Sequence, residues 1–197
     1  MRKAVLLLAS VLFVPPALTL SVDHPTTGVA TAEASVSVLL SLDELLTPSS
    51  YVIVGTAGEK KSRWEEIGGG RRIVTYTKIQ VDTAVVGSPG SVVWVRTLGG
   101  SVGDIGQAVS GEAEIATGSK SVLFLQKRGA AIVVTGMGQG HFPVVADSKG
   151  VQRLRPSPDV GVLLPSAGPT VSARSRLVGK ALDAALSVIR DAGRAKP

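Results

Sequence analysis

From Ile73 to Val85 every second residue is isoleucine, valine or threonine: Ile73, Thr75, Thr77, Ile79, Val81, Thr83 and Val85. Lys78, Gln80 and Asp82 stand between them, so the segment has the two-residue period of a strand with one wet face. At ~3.3 Å per residue the strand would span about 40 Å, well beyond the usual ~17–20 Å. A flat strand of that length would overhang a small core, so it is expected to coil or bulge, as the long strands of small barrels do. Ser88-Pro89-Gly90-Ser91 then reverses the chain: proline fixes φ at the second turn position and glycine accepts a positive φ at the third. Residues 92–98 return as a strand that is apolar on both faces, with Val93 and Val95 against Val92 and Trp94. That pattern requires cover on both sides.

The other elements read as entry to this hairpin or closure of its sheet. Ser41-Leu42-Asp43-Glu44-Leu45-Leu46 is predicted to form a helical turn or two, with serine capping, glutamate three residues on, and Pro48 ending it. Residues 51–56 form a short apolar strand closed by Gly55 and Gly58. Residues 59–70 form a charged excursion around Trp64, flexible at its triple glycine. Trp64 is expected to anchor this excursion on the sheet rather than serve as a lid or ligand platform. Residues 99–118 form a long glycine-rich loop with bulges. Gly100, Gly103 and Gly106 imitate a dinucleotide fingerprint, but no periodic helix follows them. Two strands follow, over 121–127 and 130–135, then 141–145, where Pro143 suggests an edge, and a short one over 151–154. Residues 156–171 form a proline-rich linker strapped over the surface. Residues 172–193 form one amphipathic helix, with Val178, Leu182, Ala185, Leu186 and Ile189 on its apolar face. That face is expected to dock on the sheet, the alternative being a membrane or a partner.

The N-terminus has the form of an export signal. Arg2 and Lys3 precede the apolar run 4–14, which is shorter than the ~20 residues a bilayer span needs. The signal is assigned to residues 1–21, with a second cleavage position as late as Ala34, and residues 22–40 read as a linker. The alternative is an N-terminal anchor that stays uncleaved. The expected location is secreted or periplasmic. The chain has no cysteine, which excludes a disulfide scaffold, a zinc–thiolate site and a thiol nucleophile.

A formal charge of +6 invites a nucleic-acid reading, but the charges are spread. Residues 41–155 carry thirteen basic and ten acidic side chains, and aromatics make up 4% of the chain. A nucleic-acid binder concentrates basic residues with stacking aromatics, so none is expected as a partner. Groups suited to catalysis are few. The two histidines are His24 and His141, and no second imidazole or thiolate completes a metal site. Acidic residues are too scattered for calcium. No G-x-S-x-G elbow is present, and pairing Glu65 or Glu66 with Glu112 or Glu114 as glycosidase carboxylates has no motif behind it. Neither a catalytic residue, a metal nor a cofactor is assigned.

The order of SLDELL, YVIVGTA, RRIVTYTKIQVDTAVVGSPG, VVWVRTLGG and SVLFLQK resembles the netrin-like domain, the OB-fold barrel shared with tissue inhibitors of metalloproteinases. It is also similar to exported bacterial proteins of that type. The resemblance covers residues 41–145 and implies a mainly β fold: a closed or partly open antiparallel OB-like barrel with a short N-terminal helix and a C-terminal amphipathic helix. It does not bring the inhibitor mechanism, because that family chelates a protease metal through an N-terminal cysteine absent here. The resulting expectation is an exported, non-catalytic binding module for a protein or envelope component. Its contact surface combines residues 59–72 with residues 99–118, and its candidate ligand-binding residues are Trp64, Arg71, Arg72, Gln107 and His141. The alternatives are an exported hydrolase using His141 and an envelope protein held by its C-terminal helix.

Overall fold

The computed structural model describes residues 30–31, 36–165 and 171–194. Residues 1–21, where an export signal is expected, and most of residues 22–40 lie outside the described residues. In chain order the strands are β1 (Ala30–Thr31), β2 (Val36–Val38), β3 (Tyr51–Ile67), β4 (Gly70–Val86), β5 (Val92–Leu98), β6 (Gly100–Val102), β7 (Ile105–Ala108), β8 (Lys120–Arg128), β9 (Ala131–Val134), β10 (His141–Ala146), β11 (Gln152–Leu154) and β12 (Val162–Leu164). The helices are α1 (Leu42–Leu46), α2 (Ala173–Leu177) and α3 (Leu182–Arg194), and Met137–Gly140 makes a single 3-10 turn.

The fold is mainly β. Five strands pair in a closed ring: β3 with β4, β4 with β5, β5 with β9, β9 with β8, and β8 back to β3. All these pairings are antiparallel except that of β5 with β9. The alternation in β4 holds only in part: Val74 is buried as well, Thr83 is exposed, and Val85 packs outside the ring. Ile73, Thr75, Thr77 and Ile79 are buried, and Ile79 packs inside the ring with Ile53, Val93, Val95, Leu123 and Leu125.

The continuous apolar runs of β3 and β8 are explained by cover on both faces. Ile53, Leu123 and Leu125 point into the ring, while Val52, Val54, Val122 and Phe124 point outward to a second core. Leu42 and Leu45 of α1, Leu177 of α2, and Ala185, Leu186 and Ile189 of α3 close that core. Phe124 meets Phe142 edge to face, with ring centroids 6.0 Å apart. α1 begins with a full capping box: Ser41 Oγ accepts from Glu44 N–H, and Glu44 accepts from Ser41 N–H at 2.7 Å.

Several local expectations are corrected. Residues 51–67 form one strand that runs through Gly55 and Gly58, so the charged excursion is half of a long β-ribbon. Its two-residue turn is Gly68-Gly69, at φ +62° and +77°, the positive angles that a type I′ hairpin demands. Register shifts after Val52, Val54 and Ala57 coil the ribbon. Part of the 22–40 linker is strand: β2 pairs in parallel with β12, which lies inside the proline-rich strap. Pro143 is not at an edge, because β10 has β8 along 141–143 and β11 along 144–146.

The single C-terminal helix is in fact two. Gly179, at φ +82°, interrupts it, and the Gly179 N–H donates to Leu154 O. The apolar residues of both helices pack into the protein's own core. Among the described residues no helix is long and apolar enough to cross a bilayer.

Candidate functional site

Beyond Val74 the strand β4 has no β5 partner, and beyond Thr56 the strand β3 has no β8 partner, so the distal ribbon runs past the ring. Directly opposed residues share a face. Trp64 opposes Ile73, Ser62 opposes Thr75 and Lys60 opposes Thr77, which places Lys60, Ser62 and Trp64 on the face that continues the ring interior. Arg71 belongs to the same face, and its guanidinium lies 5.0 Å from the Trp64 ring centroid.

The glycine-rich segment comes to this face. Instead of an open loop, its first part is the β6–β7 hairpin, with Gly103 in the turn. Gly100 lies so close to Thr75 Oγ1 and Ser62 Oγ that a Cβ there would collide with both. Gln107 accepts from the Ile73 N–H at 2.7 Å, pinning the hairpin to the start of β4. Residues 59–72 and 99–108 therefore form one continuous surface.

The opposite face of the ribbon carries a polar network that sequence reasoning missed. Glu65 accepts from Arg63 at 2.6 Å, from the Tyr76 hydroxyl at 2.9 Å and from Arg96 at 3.0 Å. Partial burial opposes ionisation of Glu65, but these three donors outweigh it and hold its pKa below the usual carboxylate range. Arg63 also lies 4.6 Å from the Tyr76 ring centroid, and Lys61 Nζ lies 5.2 Å from that of Trp94. Arg72 opposes Glu65, on this second face and away from Trp64. The signal for the network is the alternation Lys61, Arg63, Glu65 opposite Arg72 and Tyr76, which the charged, core-free composition of residues 59–70 hides.

His141 stands apart from the ribbon residues. It begins β10 and is 1% exposed, with Nε2 3.0 Å from Ser121 Oγ and Nδ1 3.0 Å from Ser157 Oγ. Burial lowers its pKa to about 4, so the ring is neutral and acts as donor to one hydroxyl and acceptor from the other. The cavity beside it is about 10 Å³, room for one water and no substrate. His141 and Gln107 line different cavities. The five sequence candidates thus divide into Trp64, Arg71 and Gln107 on one ribbon face, Arg72 on the other, and His141 in the core beneath the strap.

Among the described residues no group of three or more His, Cys, Asp or Glu side chains is placed to hold a metal ion. Comparison with family models, with curated proteins and with solved structures gave no match.

Proposed function

We propose that this protein is an exported, non-catalytic binding module of OB-like build that grips an acidic protein or envelope component with its β3–β4 ribbon. The strand order of the ring, first-second-third-fifth-fourth with the third and fifth strands parallel, supports the OB-like reading. The apolar run after Arg2 and Lys3 supports export.

The observation that carries the binding reading is the set of three half-buried aromatics on and beside the ribbon, Trp64, Tyr76 and Trp94, each with a cation over its ring. Trp, Tyr and Arg dominate the energetics of protein interfaces, because they bury a large area at small entropic cost and keep a polar handle. Between Glu59 and Lys78 the ribbon carries six basic residues against three acidic ones, which selects an acidic partner. The test is capture from an envelope extract on immobilised protein, comparing wild type with the double variant W64A/R71A. A species retained by wild type, released by raised salt and missing from the variant supports the reading. Equal capture by both proteins rejects it.

A further inference from the structure

Beneath the β6–β7 hairpin, between the inner faces of β4 and β5 and residues 109–115, lies a cavity of about 410 Å³. That volume falls in the ~300–1,000 Å³ range of small-ligand sites. Thr77 forms part of its floor and is 1% exposed. The hydroxyls of its neighbours are engaged: Thr75 Oγ1 donates to Gly99 O at 2.7 Å, and Thr97 Oγ1 reaches Thr75 O at 3.4 Å. The Thr77 hydroxyl enters none of the described side-chain hydrogen bonds. Thr77 lines the cavity with almost none of its own surface exposed, so its side chain meets that space only at a point.

Two further polar groups line the same cavity. Gln107 spends its Oε1 on the Ile73 N–H, which leaves its amide NH₂ as a double donor. The Glu112 carboxyl accepts from Leu98 N–H at 3.0 Å and Ala113 N–H at 2.9 Å, and each oxygen keeps a second lone pair. The walls thus mix donors and acceptors at fixed positions. Leu98, Val109, Ala113 and Ile115 supply apolar surface between them.

Charge narrows the ligand class. Among the described residues Lys60 is the one cation of the lining, against Glu112, Glu114 and Asp159, so an anion is repelled. A ring bearing several hydroxyls answers every feature: each hydroxyl both donates and accepts, the ring edge is neutral, and its C–H face suits the apolar patches.

We propose that this cavity binds one or two residues of an uncharged sugar chain, with Thr77, Gln107 and Glu112 reading its hydroxyls. The site is separate from the aromatic–cation contacts of the ribbon and does not depend on them. The test is saturation-transfer NMR of the full chain with chitobiose and with maltose as probes, and with glycylglycine as a zwitterionic control. Saturation of at least one sugar is expected, weakened tenfold or more in Thr77→Val, which keeps the side-chain shape and removes the hydroxyl. Val151→Ala, at an exposed position outside the cavity, should leave the sugar affinity within twofold, and an amide spectrum checks that each variant is folded. Transfer to neither sugar, transfer only to glycylglycine, or equal sugar binding by wild type and folded Thr77→Val would overturn the proposal.

Discussion

His141 and Ser157 fasten the proline-rich strap to the ring: Nδ1 and Oγ stand 3.0 Å apart, and both side chains are buried. On the other side of the imidazole, Ser121 of β8 holds Nε2. One neutral ring therefore joins the strap, the start of β10 and the ring wall. Burial depresses its pKa from 6.5 to about 4, so between these values the unfolded chain binds a proton that the folded chain refuses.

The stability supplied by neutral His141 is complete above about pH 6.5 and is lost as pH falls toward 4, by on the order of 3 kcal/mol. Burial raises the pKa of Glu112, which contributes with the opposite sign: its share is present at low pH and lost as pH rises through its folded pKa. Urea unfolding of wild type and His141→Gln from pH 7.5 to 4.5 separates the two. The difference between the proteins should stay level down to about pH 6.5 and shrink below it. A difference independent of pH would mean that the ring is solvated.

Glu112 ties the 109–115 segment to β5 through the Leu98 and Ala113 N–H groups. Glu112→Gln exchanges one acceptor oxygen for a donor and leaves one of these N–H groups facing an NH₂. A loss of about 1–3 kcal/mol is expected from denaturant unfolding, with faster hydrogen exchange at Leu98 or Ala113.

Gly55 lies in β3 opposite Val81 of β4. A Cβ there would sit 2.8 Å from Gln80 O and would also press on the Ile79 side chain. Because the contact is partly with backbone, a rotamer change alone cannot relieve it, and Gly55→Ala is expected to cost about 1–3 kcal/mol. Gly58, whose Cβ would make only ordinary contact with Lys78 O, should accept alanine with a much smaller loss. Thermal unfolding of the two variants side by side checks the contrast.

The long strands of the sheet were legible in the sequence because burial imposes a period. Ile73, Thr75, Thr77 and Ile79 recur since one face is inside, although Val74 between them is buried too, and Val122 to Leu125 run continuously since both faces are covered. The distal ribbon escaped that logic. Lys60, Ser62 and Trp64 on one face and Lys61, Arg63 and Glu65 on the other meet no core, so no apolar rhythm marks them as strand. The one local sign was Gly68-Gly69, the pair that a I′ turn needs. Gly179 likewise marked the break between α2 and α3, but the chance helical spacing of Val178 and Leu182 masked it. The contact of His141 with Ser157 had no local signature, because the fold alone brings the strap across β10.

Ser41 closes both hydrogen bonds of the α1 capping box, and its backbone also bridges to Ser172 at the start of α2. Ser41→Ala is expected to lose about 1 kcal/mol. Ser41→Asp, which retains the capping oxygen, should recover most of it. Equilibrium unfolding of both variants measures the difference.

The most direct measurement of ribbon-mediated binding is site-specific photocrosslinking in envelope extract. A photoreactive side chain replaces Trp64 in one protein and Val151, exposed beside the edge strand β11, in another. The expected result is an adduct from position 64 that is suppressed by raised salt and not formed from position 151. The same adduct from both positions, or none from position 64, would contradict the assignment of the ribbon as the contact surface.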